Sequence, residues 1–434
     1  IRLRELHVPI PDERMHQAAK AAEVLGGAIV DDFPMLEHVQ VLAEDPVELL
    51  LNNSWRPALA VTGQGDGTWL VDRDGAPVAP AWLWLDARAA PLVEEKAAAG
   101  VRHRMYQHTG SGLNACNQSG QLLWMERNMP EVLDRAATAQ HCKDWLYLNL
   151  TGQRATDVTE GVFTFGDFRT RRYVPEILDW MEISKRRHLL PDLVDGTRTT
   201  HGLTDTAAKE TGLPTGLPVS LGSVDVACTA LGAGLYEPGR NVGCSVVGST
   251  GMSMRFVPDA SALTLAAEPG GYTMAFPVDG TVAQMQSTMA ATINIDWIVE
   301  VGRDAAQALG HEVDRKEALK ALDARVLEAN PKSEIYHPYI LEAGERGPFT
   351  NANARAQFIG LTHHTSFVDL VRTVYDGLVL AARDWYEAMG ALPEGIRISC
   401  GPPCRRTARR RRGRARGRRG TRAGARNRAP PARP

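Results

Sequence analysis

The sequence predicts a mixed α/β protein that is large enough to form two domains. Its 434 residues are long for one hydrophobic core and fit two. Short apolar runs bounded by glycine turns predict strands, and apolar residues three or four positions apart predict helices. Both patterns occur along the chain. The composition, with 44% hydrophobic and 23% charged residues, is ordinary for a soluble globular protein.

The first 56 residues contain few clear signals. Two stretches with helical spacing and one short apolar run predict two helices and a strand, at residues 15–25, 45–51 and 28–30 respectively. No glycine-rich turn with a preceding carboxylate is visible in this part of the sequence.

Clearer elements follow from residue 57 onward. Two strands flank a glycine-rich turn, at residues 58–61, 68–72 and 62–67 respectively. Asp74-Gly75 then predicts a hairpin turn. Three helices are expected next, the first opening at residues 86–88 and the others covering 122–133 and 145–150. Thr151-Gly152 ends the last of them.

Residues 221–252 carry the strongest chemical signal in the sequence. Asp225 is a single carboxylate among small and apolar residues. An apolar run at residues 242–247 predicts a strand, which ends in the turn Gly248, Ser249, Thr250 and Gly251. A general base near a phosphate-binding loop requires a held carboxylate beside such a glycine turn. Taken alone, an Asp such as Asp225 is more often a cap or turn residue than a catalyst, and a string such as residues 248–251 is usually an ordinary turn.

The C-terminal part combines a long predicted helix with an arginine-rich segment. Ser366 and Asp369 form a capping-box pattern, and apolar residues recur at helical spacing up to Trp385. Residues 396–399 predict a strand. No Ile, Leu, Val, Met or aromatic residue follows Ile398, so we expect residues 400–434 to be disordered.

Charge is unevenly distributed along the chain. Residues 402–434 contain 14 arginines and no acid, which leaves 35 basic and 51 acidic residues elsewhere, a charge of about −16. The tail is a candidate for nucleic-acid binding because it could neutralise phosphates. The acidic body and the lack of interleaved aromatic residues argue against nucleic acid as a partner.

Several classes of protein are excluded by the sequence. No stretch approaches the length of a membrane span, and the first residues contain no apolar signal segment. Six cysteines are too few for a disulfide framework in a chain of this length. Cys400 and Cys404 have no second pair of ligands, so no residue is assigned to a metal. We therefore expect a cytoplasmic protein without membrane partners.

Several ordered segments together resemble the FGGY family of carbohydrate kinases, which includes glycerol, xylulose, ribulose and erythritol kinases. They are VTGQGDGTWLVD (61–72), WLDAR (84–88), CKDWLYLNLTG (142–152), ATDVTEG (155–161), GSVDVACTALGAG (222–234), VGSTGM (247–252) and PYILEAGERGP (338–348). The family's second signature is similar to residues 356–376, with Thr373 where the family has a smaller residue. The resemblance covers residues 57–399. Polar stretches at 110–124 and 164–172 suggest a polyol kinase, with erythritol as the favoured substrate.

The resemblance implies two actin-like, ribonuclease-H-like α/β domains with a cleft between them. The sugar-binding domain would cover residues 1–236, of which 1–56 are atypical, and the nucleotide-binding domain would cover residues 237–399. The implied reaction is phosphorylation of a polyol hydroxyl by ATP with Mg²⁺. Asp225 matches the family's catalytic base, and Gly248, Ser249, Thr250 and Gly251 match its second phosphate loop.

The resemblance also implies a polyol pocket. Its candidate residues are Gln64, Asp66, Asp86, Arg88 and Asp157, because carboxylates and amides accept and donate hydrogen bonds to vicinal hydroxyls. Asp66 is equally typical of a turn, and Arg88 of a solvated helix face. Further candidates are Asn114, Asn117 and Gln118, while Glu345 and Arg346 lie either near the cleft or in an ion-paired turn.

Two departures from the family pattern bear on activity. The family's first phosphate loop, whose Asp helps to hold the metal, is not found in residues 1–56. After residue 399 the arginine-rich segment replaces a glycine turn and a helix, so we expect an incomplete C-terminal domain. A reading-frame shift near codon 400 is our explanation, and the coding DNA tests it.

Alternative functions remain open at this stage. One is a kinase of ketopentoses such as xylulose or ribulose. Another is a catalytically impaired relative that binds a polyol without phosphorylating it. A third is a nucleic-acid-binding protein that works through the arginine tail. A homodimer is left open as the assembly.

Overall fold

The structure is a computed structural model that describes residues 47–400, except residues 52, 53, 237–240, 330–332, 343, 346, 350, 352 and 391. The elements predicted at residues 15–25 and 28–30 lie outside the described residues. Of the segment 400–434 that was expected to be disordered, Cys400 instead ends a strand by pairing with Val247, and the rest lies outside the described residues.

The described strands are, in chain order, β1 Val47–Leu51, β2 Ser54–Val61, β3 Trp69–Val71, β4 Thr138–Gln140, β5 Ala155–Asp157, β6 Gly166–Asp167, β7 Arg172–Tyr173, β8 Asp192–Val194, β9 His201–Gly202, β10 Pro218–Leu221, β11 Val242–Val247, β12 Gly251–Val257, β13 Tyr272–Ala275, β14 Val282–Thr288, β15 Ile335–His337, β16 Gln357–Ile359 and β17 Gly395–Cys400.

The described helices are α1 Ala90–Ala98, α2 Val101–Thr109, α3 Gln118–Asn128, α4 Pro130–Arg135, α5 Cys142–Thr151, α6 Val158–Phe165, α7 Pro175–Trp180, α8 Asp205–Thr211, α9 Asp225–Gly232, α10 Thr292–Ala308, α11 Arg315–Glu328 and α12 Phe367–Ala388. A short 3₁₀ helix spans Ser184–Leu189.

A four-stranded sheet with the order β1-β2-β10-β9 organises the first half of the described chain. The central strands β2 and β10 are parallel, with Val61 opposite Leu221, whereas the outer pairings are antiparallel. Parallel strands end at the same edge of a sheet. The turns that follow Val61 and Leu221 therefore lie side by side.

A five-stranded sheet with the order β13-β14-β12-β11-β17 organises the second half. Only its β11–β17 pairing is parallel. The predicted strand at residues 242–247 is confirmed as β11, and the exposed turn 248–250 joins it to β12. The predicted strand at residues 396–399 is confirmed within β17.

Three of the five hydrophobic clusters among the described residues bear on the position of the site. One lies among the helices around Leu123 and Leu133, and a second lies between the four-stranded sheet and α5, around Tyr147. The third combines side chains from both halves of the chain: Phe163, Val224, Ala227, Ala230, Leu235, Cys244, Met254, Met274, Phe276, Ala283 and Met285. This third cluster links the region of α9 to the five-stranded sheet.

The long C-terminal helix has the start and the apolar face that the sequence predicts. In α12, the Ser366 hydroxyl accepts a hydrogen bond from the Asp369 amide, and the Asp369 carboxylate accepts one from the Ser366 amide. Val374 and Trp385 lie on its buried face.

Three predicted elements were wrong in type or extent. Residues 47–51 form a strand instead of a helix, because they pair along their length with β2. The helix expected to open at residues 86–88 begins at Ala90. The single helix expected over residues 122–133 is two helices, because Pro130 has no amide hydrogen and starts a new one.

Candidate active site

Two turns meet at the common edge of β2 and β10. The Val61 carbonyl accepts a hydrogen bond from the Gly222 amide at 2.8 Å, and the Gly63 carbonyl accepts one from the Asp225 amide at 2.9 Å. A Cβ atom at Gly222 would lie 2.7 Å from the Val61 carbonyl oxygen, so only glycine permits this approach. Gln64 and Asp66 are thereby held close to Asp225.

Asp225 is the first residue of α9 and its side chain is exposed. The protein around it still removes part of the water, and this desolvation raises the pKa of the Asp225 carboxyl against the opposing hydrogen bond from the Val226 amide. A carboxylate with a raised pKa is a better proton acceptor than a free one.

Asp66 has an unusual backbone for a residue other than glycine. Its φ angle is 57°, in the left-handed region, and the next residue, Gly67, has a φ of 81°. The Asp66 carboxylate accepts a hydrogen bond from the Asn117 amide group at 2.9 Å and lies 3.6 Å from the Cys116 sulfur. The Asp66 backbone amide donates to Glu160 at 3.2 Å.

A buried group of charged side chains lies beneath this turn. The Lys143 ammonium lies 2.8 Å from Asp144 and 2.7 Å from Asp157. The His141 ring lies 3.0 Å from Asp144 and 3.3 Å from Glu160. Each of these side chains is at least 95% buried, so the charges compensate one another within the protein.

The protonation states in this group follow from burial and charge. Burial raises the pKa of Glu160 to about 7, against the charge of His141 and with the help of Asp66. Burial opposes protonation of His141, but the Glu160 and Asp144 carboxylates outweigh it and raise the pKa of the ring. The Asp144 pKa is lowered to about 2, because Lys143 and His141 outweigh the effect of burial.

Asp157 has a structural environment in this group. Its carboxylate caps α6 by accepting hydrogen bonds from the Thr159 amide at 2.9 Å and the Thr159 hydroxyl at 2.7 Å. Its other oxygen binds Lys143. These contacts support a role in holding the site, and direct contact of Asp157 with a polyol remains a prediction.

Asp86 and Arg88 form a pair of their own. Their side chains lie 2.5 Å apart, and the Arg88 guanidinium stacks 3.6 Å above the Trp82 ring. Thr68 pairs with Trp82, so this segment begins beside the Asp66 turn. Arg88 has half of its side chain exposed, which agrees with the solvated alternative as well as with a place at the pocket's edge.

Among the additional candidates, Asn117 is the residue brought to the Asp66 turn. Its side-chain oxygen accepts a hydrogen bond from the Asn114 amide at 2.8 Å. Asn114 lines a neighbouring cavity of about 160 Å³, together with residues 269–272 and Gln286. The buried Gln118 instead donates to the Gln140 carbonyl.

The predicted phosphate loop lies between β11 and β12 and next to a helix start. The Ser249 carbonyl accepts from the Ala291 amide at 2.7 Å, and the Gly248 carbonyl accepts from the Thr292 amide at 3.0 Å. These bonds fix the loop to the start of α10, and residues 248–250 are exposed. The carbonyl groups of the loop thus face the start of the helix. The rest of the loop is an open turn of small residues, two of which carry hydroxyl groups.

Glu345 is buried near the same end of the sheet. Its carboxylate accepts from the Thr288 hydroxyl at 2.6 Å and from the Met289 and Gly347 amides at 3.2 and 3.3 Å. Its neighbour Arg346 lies outside the described residues. Among the residues that are described, no three His, Cys, Asp or Glu side chains come together as a metal site.

The comparisons with known proteins match this architecture over most of the chain. Residues 46–232 match the N-terminal domain of the FGGY family of carbohydrate kinases, and residues 245–404 match its C-terminal domain. This chain belongs to the FGGY family. The predicted membership is therefore confirmed.

Curated relatives extend the FGGY assignment. The chain is 51% identical over 344 residues to erythritol kinase of Brucella abortus, covering 79% of this chain and 66% of that protein. It is 27% identical over 350 residues to xylulose kinase of Escherichia coli, covering 79% of this chain and 67% of that protein. The match with erythritol kinase thus spans just under two thirds of the length of that relative.

Solved structures confirm the predicted fold. Xylulose kinase from Rhodospirillum rubrum has a TM-score of 0.65 and 26% identity, covering 77% of this chain and 64% of that one. The FGGY chain thus has the actin-like, two-domain α/β fold. The boundaries at residues 236 and 399 stay predictions. No helix in the part of the chain that the structure describes is long and apolar enough to cross a membrane.

The sequence alone did not point to two neighbours of the proposed pocket, His141 and Glu160. Both belong to segments that resemble the family, but their contact joins the residue before α5 to the first turn of α6. A signal was present, because Glu160 is the one charged residue of α6, which is mostly buried.

Proposed function

We propose that this chain transfers the γ-phosphoryl group of ATP to a hydroxyl of a small polyol, with erythritol favoured. The observation that carries the proposal is the meeting of Asp225 with the Gln64–Asp66 turn at one edge of the four-stranded sheet. The 51% identity to erythritol kinase supports a polyol as the acceptor and favours erythritol among polyols.

In the proposed reaction, Asp225 acts as general base. Its carboxylate accepts the proton of a polyol hydroxyl while the hydroxyl oxygen forms a bond to the γ-phosphorus. The bond between that phosphorus and the β,γ-bridging oxygen breaks, and ADP leaves with the electron pair. The raised pKa of Asp225 supports this role because it makes the carboxylate more basic.

The polyol would be gripped on the side of Asp66. Carboxylates accept hydrogen bonds from hydroxyl groups, and amides such as Gln64 both donate and accept. Asn117 and Cys116 hold the Asp66 carboxylate from one side. We propose that the polyol pocket also includes Asp86, Arg88 and Asp157.

The phosphates of ATP are assigned to Gly248, Ser249, Thr250 and Gly251. Residues 248–250 form an exposed turn in which the Ser249 and Thr250 hydroxyls can approach an anion, whereas the Gly248 amide already donates to the Thr250 carbonyl at 2.9 Å. Mg²⁺ usually binds nucleotide phosphates with only one or two protein carboxylates. When bound, Mg²⁺ would neutralise charge on the transferred phosphoryl group.

The proposal is tested by ADP release from ATP-Mg²⁺ with erythritol, glycerol, xylulose and ribulose. We expect turnover with erythritol and a loss of at least 100-fold in kcat for Asp225→Asn, since general base catalysis contributes about 10²–10⁴-fold. Polyol binding, measured by calorimetry, should survive this substitution.

Asp205→Asn is the matched control. Asp205 is also an exposed first residue of a helix, at the start of α8, and should retain full activity. Full activity in Asp225→Asn would reject the base. Turnover with xylulose or ribulose alone would identify a ketopentose kinase, and erythritol binding without turnover would identify an impaired relative.

A further inference from the structure

Neighbouring residues at the start of α6 contact both turns of the site. The Thr159 hydroxyl oxygen accepts a hydrogen bond from the Val224 amide at 3.0 Å, immediately before Asp225. The Glu160 carboxylate accepts the Asp66 amide at 3.2 Å. One helix start therefore holds the turn of the proposed base and the turn of the proposed polyol contact.

Glu160 also determines which residue can precede Asp66. A Cβ atom at Gly65 would lie 2.5 Å from a Glu160 carboxylate oxygen and 2.7 Å from the Val224 side chain. Gly65 is thus packed between Glu160 of α6 and Val224 of the second turn. The turn can approach Glu160 this closely only with glycine at this position.

The Glu160 side chain is itself fixed. It is 2% exposed, and the His141 ring lies 3.3 Å from the oxygen that accepts the Asp66 amide. His141 is in turn held by Asp144, which also binds Lys143. A buried carboxylate with partners of this kind has little freedom to move away from the turn.

We propose that Glu160, oriented by His141, is a positioning residue that holds Asp66 in its left-handed conformation for polyol binding. This inference rests on the proposed polyol kinase function. In the proposed site, Glu160 does not itself contact the polyol. It acts through the backbone of Asp66, whose carboxylate makes the contact.

The first test measures the turn without using activity. Hydrogen exchange by mass spectrometry on the full chain should show faster exchange in peptides covering residues 62–68 for Glu160→Ala, because the Asp66 amide loses its acceptor. Glu160→Gln keeps an oxygen acceptor of similar reach and should exchange more slowly than Glu160→Ala. Unchanged exchange in Glu160→Ala would overturn the proposal.

The second test separates binding from catalysis. We expect Glu160→Ala to raise the KM for erythritol about tenfold, which corresponds to the loss of one hydrogen bond. The KM for ATP should stay within twofold, and Glu160→Gln should recover most of the erythritol affinity. A KM for erythritol within twofold of the wild type in Glu160→Ala would contradict the proposal.

Matched controls guard against general destabilisation. Glu126→Gln removes a partly buried carboxylate that pairs with Arg186 and Lys185, and it should leave the KM for erythritol unchanged. Gly65→Ala should raise that KM even where Glu160 is intact, whereas Gly395→Ala, where a Cβ meets no atom within 4 Å, should not. An equal effect of Glu126→Gln would reject a specific role for Glu160.

Different results would reject the polyol kinase function and the role of Glu160. If the wild type neither binds nor phosphorylates any polyol, the proposed function is wrong, and the exchange experiment still decides whether Glu160 holds the turn. If erythritol is phosphorylated and Glu160→Ala alters neither exchange nor KM, only the role of Glu160 is wrong.

Discussion

The Glu160 carboxyl group is deeply buried, and its protonation changes near neutral pH. Four titratable groups face it: Asp66 from the turn after β2, His141 and Lys143 from the start of α5, and Asp157 from the end of β5. Burial keeps its pKa at about 7, above the value of about 4.5 for a free glutamate. Between about pH 4.5 and 7 the folded protein therefore holds on this carboxyl a proton that the unfolded chain has already lost.

This difference predicts a pH dependence of stability. A group whose pKa is raised by folding contributes stability that is complete below its unfolded pKa and is lost as the pH rises through its folded pKa. The free energy of unfolding should fall by up to about 3 kcal/mol between pH 4.5 and 7 through this group. His141, whose pKa is also raised, adds a loss of the same sign at higher pH.

Urea unfolding of wild type and Glu160→Gln at half-unit pH intervals measures the effect. In Glu160→Gln, the free energy of unfolding should no longer show the fall between pH 4.5 and 7 that comes from this carboxyl group. The Glu126→Gln variant should still show that fall. Parallel curves for wild type and Glu160→Gln would show that the carboxyl does not titrate in this range.

At the residue scale, the sequence pointed to Asp225 and to residues 248–251 because each lies in a compact motif. It did not point to the contact between Glu160 and the Asp66 amide, which joins positions 94 residues apart. Nothing in local spacing encodes such a contact. It depends on β5 and α6 packing beneath the turn.

At the scale of elements, α12 offers a direct test of the capping box. Ser366→Ala removes the hydroxyl that accepts the Asp369 amide at 3.3 Å. We expect a loss of about 1 kcal/mol in the free energy of unfolding, typical of an N-cap substitution. Ser261→Ala, in an exposed turn closed by Asp259, is the control and should cost less. An equal loss in both variants would contradict a specific capping role.

The elements that the sequence predicted best are those with a local cause. Helix α12 was predicted because its cap and its apolar face are both written in consecutive residues. Strand β1 was predicted as a helix, since its strand character comes from pairing with β2 and not from its own spacing. The break before α4 was missed because apolar spacing continued through Pro130.

At the scale of the whole molecule, the third hydrophobic cluster determines how the two halves unfold. Met285 of β14 is 2% exposed and packs in a cluster with Val224 and Ala230. Val224 directly precedes α9, and Ala230 lies within it. Met285→Ala should lower the free energy of unfolding by about 2–5 kcal/mol, as core truncations do. Because both halves of the chain contribute to this cluster, calorimetry should show a single unfolding transition, and Met285→Ala should shift that whole transition to lower temperature.

Two separate calorimetric transitions, of which Met285→Ala shifts only one, would show that the halves unfold independently. Met129→Ala is a suitable comparison, because Met129 packs at the margin of the first cluster. The sequence predicted two domains from length and family resemblance, yet it contained no sign of which apolar residues join them. Those residues come from segments far apart in the chain.

The shared attachment of both turns to α6 has a consequence for regiochemistry. Thr159 and Glu160 are consecutive, so a single turn of α6 holds both the Val224 amide next to Asp225 and the Asp66 amide. In the proposed kinase, the distance from the end of the polyol bound by Asp66 would decide which of its hydroxyl groups receives the phosphate. A longer or shorter alditol would then present a different hydroxyl, or none, to Asp225. The position of the phosphate group in the product would therefore depend on how α6 holds the two turns.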